Sequence, residues 1–231
     1  MRRQLIQDLT IRGYSPHTIR NYVFYVYDLA RYYRLPPQDL SEAQIQSFLF
    51  YLATERKVSW STLNVAVSAL RFFYHLTLKR PRSEVDLTIP RPRSGHRLPI
   101  ALDTQEVQAL FEVTTNLKHR ALLMTVYSAG LRVSEVVALK PSHIDSARQQ
   151  IRVKQGKDRY TLLSPRLLTE LKAYSLHYLP GPWLFPGQSK NKPLTTGAAA
   201  SIYNKCARKA GIKKRGSIHL LRHSFASHLL D

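Results

Sequence analysis

Residues 218–230 read IHLLRHSFASHLL, and the meaning given to this short helical stretch decides how the rest of the chain is understood. His219 and Arg222 stand three positions apart, so one helical face presents an imidazole beside a guanidinium. Such a pair suits a phosphate. The planar guanidinium holds its oxygens, and the imidazole can donate to one or take a proton there. Alone, an HxxR pair is an ordinary feature of surface helices, so the chemical reading depends on what accompanies it.

Two further stretches accompany it. Residues 129–139 read AGLRVSEVVAL, in which Gly130 ends an apolar helix and a new helix starts with Arg132 in its first turn and Glu135 one turn on. A helix start offers free N–H groups that suit an anion. Taken by itself, an arginine so placed is more commonly a salt-bridge partner, here for Glu135. Residues 156–165 read GKDRYTLLSP and place Lys157 at the turn of a predicted β-hairpin with strands over 151–154 and 160–163. A lysine on a turn can reach a leaving oxygen and protonate it, although a basic hairpin tip is more commonly just solvated.

The bulk composition narrows the partner. The 231 residues contain 35 Lys and Arg against 15 Asp and Glu, a net charge of +20, with 44% apolar residues. The apolar fraction supports packed cores and argues against disorder. The charge asks for a polyanion, with nucleic acid ahead of an anionic membrane surface. There is no run of eighteen apolar residues to span a bilayer, and the charged residues 1–8 lack the apolar region of a signal peptide, so a cytoplasmic protein is expected. The single cysteine, Cys206, cannot form an intrachain disulfide and has no metal-ligand spacing around it; it reads as a small half-buried helical residue.

The first eighty or so residues carry helical periodicity. Leu5, Ile6 and Leu9 form a short stripe that Gly13 ends. Ser15-Pro16 then signals an N-cap followed by proline at the first helical position, and Ile19, Tyr22, Val23, Val26, Leu29, Ala30 and Tyr33 recur at helical spacing. Ser41-x-x-Gln44 forms a capping box ahead of Ile45, Phe48, Leu49 and Leu52. A last long helix begins near 59–61, with Leu63, Ala66, Val67, Leu70, Phe73 and Leu76 on its inner face. The aromatic run Tyr22, Phe24, Tyr25, Tyr27, Tyr32 and Tyr33 fits core packing better than base stacking.

Residues 79–99, KRPRSEVDLTIPRPRSGHRLP, change character: repeated prolines and six Lys or Arg predict an extended basic linker. Beyond it Asp103 or Thr104 caps a helix, 118–127 forms another, Pro165 starts a third, Thr196 caps a fourth, and the last begins near His219.

Taken together, Arg132, a hairpin lysine and HxxR, in that order on a basic helical scaffold, closely resemble the tyrosine recombinase (phage integrase) family. The stretches 12–22 (RGYSPHTIRNY) and 61–74 (STLNVAVSALRFFY) also resemble the family's N-terminal domain. The resemblance runs from about residue 2 to the end. It implies a mainly α protein: a helical, SAM-like core-binding domain over 1–80, a basic linker over 81–98, and an α-rich catalytic domain with a small antiparallel sheet over 99–231. It implies a double-stranded DNA partner clamped by the two domains, with Lys79, Arg80, Arg82, Arg91, Arg93 and Arg97 lying along the backbone. The complete enzymes assemble as tetramers on DNA. Position by position, Arg132, His219 and Arg222 match the phosphate-holding residues, Glu135 a supporting acid, and Lys157 the lysine thought to protonate the leaving 5′-oxygen. No ATP, metal or other cofactor is implied, since the paired guanidinium groups neutralise the charge that grows on the phosphate.

Two departures qualify this. The family hairpin reads Gly-Lys-Gly, a few residues, then Arg; here GKDR is shorter, so the lysine is Lys157 or, failing that, Lys154. After Arg222 only HSFASHLLD follows, without the tyrosine that family members use to form a 3′-phosphotyrosine link, and His228 on the same helix does not stand for the later histidine. The expectation is a chain that binds DNA and cradles a phosphate without cleaving alone; the alternative is a non-catalytic DNA-binding protein of the same fold. A basic helical transcription factor would leave the Arg, Lys and HxxR order to coincidence. Leu220, Phe225, Leu229 and Leu230 are expected to form an exposed apolar patch.

Overall fold

A computed structural model describes residues 1–92, 100–154 and 158–230. The chain divides into two units, Met1–His96 and Arg97–Asp231.

The first unit is helical. It contains α1 (Arg2–Ile11), α2 (Pro16–Tyr33), α3 (Glu42–Thr54), α4 (Trp60–Phe72), continued by one π-helical turn over Phe73–Thr77, and α5 (Arg82–Thr88). The caps read from sequence are present: Ser15 Oγ accepts from the Thr18 N–H at 3.2 Å, and Ser41 and Gln44 exchange side-chain-to-backbone hydrogen bonds at 3.3 and 2.9 Å. Leu5 and Leu9 of α1, Leu29 of α2, Ile45, Phe48 and Leu52 of α3, and Ala66 and Leu70 of α4 are buried in one core. The aromatic run of α2 divides by face. Tyr22, Tyr25 and Tyr33 lean on that core, whereas Phe24, Tyr27 and Tyr32 are exposed.

Helix α5 corrects the reading of 79–99 as extended throughout. Its prolines bracket a helix instead of preventing one: Pro81 is the N-cap and Pro90 follows the end. Val85 and Ile89, one turn apart, are 3% and 1% exposed and complete the first core. Arg71 fastens the segment, donating to the Ile89 carbonyl at 2.6 Å and pairing with Asp86. Tertiary contacts thus stabilise a seven-residue helix that would be marginal alone.

The second unit contains α6 (Thr104–Glu112), α7 (Leu117–Ser128), α8 (Val133–Val137), a short antiparallel sheet of β1 (Ile144–Asp145), β2 (Gln150–Val153) and β3 (Arg159–Leu162), then α9 (Pro165–Tyr178), α10 (Thr196–Lys209) and α11 (His219–His228). The sheet order is β1-β2-β3, with Ile144 opposite Ile151 and Val153 opposite Arg159. The predicted hairpin is therefore joined by a third strand. Thr195, not Thr196, caps α10 by accepting the Ala198 N–H. Helix α7 lies at the centre, with every residue from Ala121 to Val126 buried, and α9 and α11 pack on it.

The anticipated apolar patch on α11 is smaller than expected. Leu220 is buried beside Gly216, and Phe225 is half-buried over Gly130, so only Leu229 and Leu230 are exposed. Among the described residues no helix is long and apolar enough to cross a membrane.

If α5 belongs to the first core, Val85→Ala lowers unfolding free energy by about 2 kcal/mol, while Leu87→Ala on its exposed face changes it by less than about 0.5 kcal/mol. Urea unfolding of the two variants measures the difference, and equal midpoints would return 82–88 to the status of a linker.

Candidate functional site

The site is organised by a tight turn. Helix α7 ends at Ser128, and Gly130 takes a φ of +59°. A side chain there would be strained, and its Cβ would stand 2.5 Å from the Phe225 ring. The turn exposes two carbonyls that neighbouring elements use as anchors. Thr161 of β3 donates to the Ala129 carbonyl at 2.8 Å, and Arg222 of α11 donates to the Gly130 carbonyl. Helix α11 is further pinned by Ser224, which is fully buried and accepts the Leu102 N–H at 2.8 Å.

Arg132 follows as the N-cap of α8, not within its first turn. Its backbone N–H donates to Glu135 Oε2 at 2.7 Å, and its Nη1 to Glu135 Oε1 at 3.1 Å. The helix-start donor that the sequence offered to an anion is thus taken by Glu135. What Arg132 presents outward is its guanidinium, whose side chain is 58% exposed.

Glu135 is 4% exposed and surrounded by arginines. Arg159 meets it in a two-pronged pair, Nη1 to Oε1 at 2.8 Å and Nη2 to Oε2 at 2.9 Å. Arg222 Nη1 lies 3.9 Å from Oε2. Burial pushes the Glu135 carboxyl up, but the hydrogen bonds from Arg159 and the Arg132 N–H outweigh it and hold the group down at about 2. The Arg222 guanidinium is pushed below its ordinary value by burial and by the like charge of Arg132.

The predicted residues therefore separate into groups. Arg132, Glu135 and Arg222 come together. His219 opens α11 one turn before Arg222 and is exposed. Lys154 is exposed immediately after β2. Lys157, Arg93 and Arg97 lie outside the described residues. Lys79 and Arg91 are exposed, Arg82 lies 3.8 Å from Asp86, and Arg80 is turned into its own unit against the Tyr74 ring and Glu84. Arg159 is the residue sequence reasoning missed. The signal was its place at the start of β3, on the face shared with Thr161 and opposite Val153.

This fold and site define a class: a helical protein whose second unit gathers guanidinium groups around one buried carboxylate. The family descriptions "Phage integrase, N-terminal SAM-like domain" and "Phage integrase family" match residues 1–84 and 101–231. The chain is 39% identical over 234 residues to a putative integrase/recombinase y4qK of Sinorhizobium fredii, covering 100% of this chain and 76% of the relative. It is 34% identical to the tyrosine recombinase XerA of Thermococcus kodakarensis, covering 96% and 78%. In fold it is similar to the Tn1549 transposon integrase in complex with circular intermediate DNA (TM-score 0.76, 15% identity, 99% and 86% covered). It is also similar to a lambda integrase tetramer bound to a Holliday junction (TM-score 0.76, 18% identity, 98% and 70% covered). The chain belongs to the phage integrase family, the tyrosine recombinases.

Because Glu135 titrates at about 2 in the folded chain against an ordinary 4.5, its ionised form favours folding. That stability is complete above the ordinary value and is lost as pH falls through about 2, up to about 3 kcal/mol. Acid unfolding of the native chain and of Glu135→Gln tests this. The variant is expected to be less stable by about 3 kcal/mol at neutral pH and to lose the slope between about pH 4.5 and about pH 2.

Proposed function

We propose that residues 1–231 bind double-stranded DNA and hold one backbone phosphate between Arg132 and Arg222, as the phosphate-holding part of a cytoplasmic site-specific recombinase. The observation that carries this reading is the meeting of Arg132 and Arg222 around Glu135, from stretches ninety residues apart in sequence. Two guanidinium groups beside one phosphate neutralise its non-bridging oxygens and stabilise the extra charge of an attacked phosphorus. His219, one turn from Arg222, donates to an oxygen of the same phosphate, and Lys157 or Lys154 protonates the leaving 5′-oxygen. Double-stranded DNA is supported by the net charge of +20 and by the DNA complexes of the integrases of similar fold. In the tetrameric form that the lambda integrase takes on a Holliday junction, several copies would share one DNA assembly.

The strand-cleaving step needs a tyrosine nucleophile. None of the thirteen tyrosines in these 231 residues follows Arg222. Tyr174 and Tyr203 are buried, with phenols pushed up to about 12 by burial, which makes them poor nucleophiles. In this reading residues 1–231 position a phosphodiester for attack by a tyrosine.

Two measurements test the proposal. Duplex affinity is expected to fall by roughly three to five decades between about 50 and 200 mM salt, as for six to ten phosphate contacts; affinity indifferent to salt would remove the DNA-clamp reading. On a nicked suicide duplex, residues 1–231 alone are expected to give no SDS-resistant protein–DNA band. A shifted band would assign a nucleophile to one of the existing tyrosines.

A further inference from the structure

Glu135 sits between the two arginines that are to hold a phosphate, and a bare carboxylate there would compete for them. Its two oxygens have about four acceptor positions. All are taken: Oε1 accepts from Arg159 Nη1 at 2.8 Å and Arg132 Nη1 at 3.1 Å, and Oε2 accepts from the Arg132 N–H at 2.7 Å and Arg159 Nη2 at 2.9 Å. Arg159 supplies two of the four. Arg222, at 3.9 Å, stays just outside hydrogen-bonding distance and spends an N–H on the Gly130 carbonyl instead. The remaining donors of Arg222 are not consumed by the carboxylate, and Arg132 gives it only one guanidinium nitrogen beside its backbone N–H.

We infer that Arg159 is a positioning residue: by saturating Glu135 it keeps Arg132 and Arg222 available to an oxyanion and sets the charge of the cluster. This rests on the reading above that those two arginines hold a phosphate. With Arg159 in place, three guanidinium charges face one carboxylate, leaving two net positive charges. A phosphodiester carries one negative charge and gains a second when a fifth oxygen adds to phosphorus, so the cluster matches the attacked phosphate and not only the resting one. Without Arg159, two acceptor positions on a buried carboxylate open toward Arg222 and Arg132. Both arginines are then drawn inward to fill them, and one positive charge is lost. Arg159 also opens β3 opposite Val153, so the same two-pronged pair that fills Glu135 fixes the strand end that lies beside Lys154.

The test is a charge-restoring cycle on residues 1–231, with inorganic phosphate as probe and the Nε–Hε NMR signals of Arg132 and Arg222 as readout. Arg159→Gln is expected to raise the phosphate concentration at half-shift about three- to tenfold, the effect of one charge at several ångströms in a mostly aqueous dielectric. The double variant Glu135→Gln with Arg159→Gln removes both the carboxylate and its filler and keeps the net charge of two. It is expected to bind phosphate within about twofold of the native chain, because the mutations compensate where two sites interact. A melt confirms that each variant is folded. Native-like binding by Arg159→Gln overturns the inference. So does a double variant as weak as the single one, which is the outcome of a merely structural role. If Arg132 and Arg222 signals in the native chain ignore phosphate, the phosphate-holding reading falls and takes this inference with it.

Discussion

A buried carboxylate with no partner is among the costliest things a protein can hold, and the second unit is arranged around meeting that demand at Glu135. The residue arrives there because α8 starts immediately after the Gly130 turn, which puts position 135 on the inward side. Once it is there, cations must come to it, and they come from three places: its own helix start through Arg132, the sheet through Arg159, and the last helix through Arg222. The anion is small and the guanidinium groups are wide. The three cations are therefore held close together and directed by it, an arrangement that like charges would not adopt unaided.

The turn before Glu135 has a matching role. The carbonyls of Ala129 and Gly130 are left free by the end of α7, and β3 and α11 each take one. Backbone acceptors thus fix both elements, and a few residues on the Glu135 side chain accepts from β3 and stands 3.9 Å from Arg222 of α11. Gly130 permits this twice over, by adopting a left-handed φ and by leaving room for the Phe225 ring. Geometry of this kind gives the arginines a defined separation without consuming all their donors.

Much of the first unit was legible because its helices carry long apolar stripes and unambiguous starts, as at Ser15-Pro16 and Ser41-x-x-Gln44. Helix α5 was not, because seven residues between prolines hold too few periods to read, and what makes them helical is the partnership of Val85, Ile89 and Arg71. At the site, Arg132, Glu135 and Arg222 were legible through spacing within single helices and through family resemblance. Arg159 was hidden by an inverted strand. In β3 the polar Arg159 and Thr161 face the site, while Tyr160 and Leu162 are 57% and 59% exposed. The ordinary rule of apolar-in, polar-out points the wrong way there.

That inversion leaves the protein with an uncomfortable boundary. β3 is an outer strand of its sheet, and its outward residues are an aromatic and a leucine. Such strands invite pairing with the same strand of another molecule, the first step toward insoluble aggregates. Brevity is the protection: the strand is four residues long and opens with a charged side chain committed elsewhere, so a second molecule finds little backbone to bind. A short β3 places Arg159 while offering little edge, and lengthening this hairpin would trade a firmer scaffold for a stickier protein.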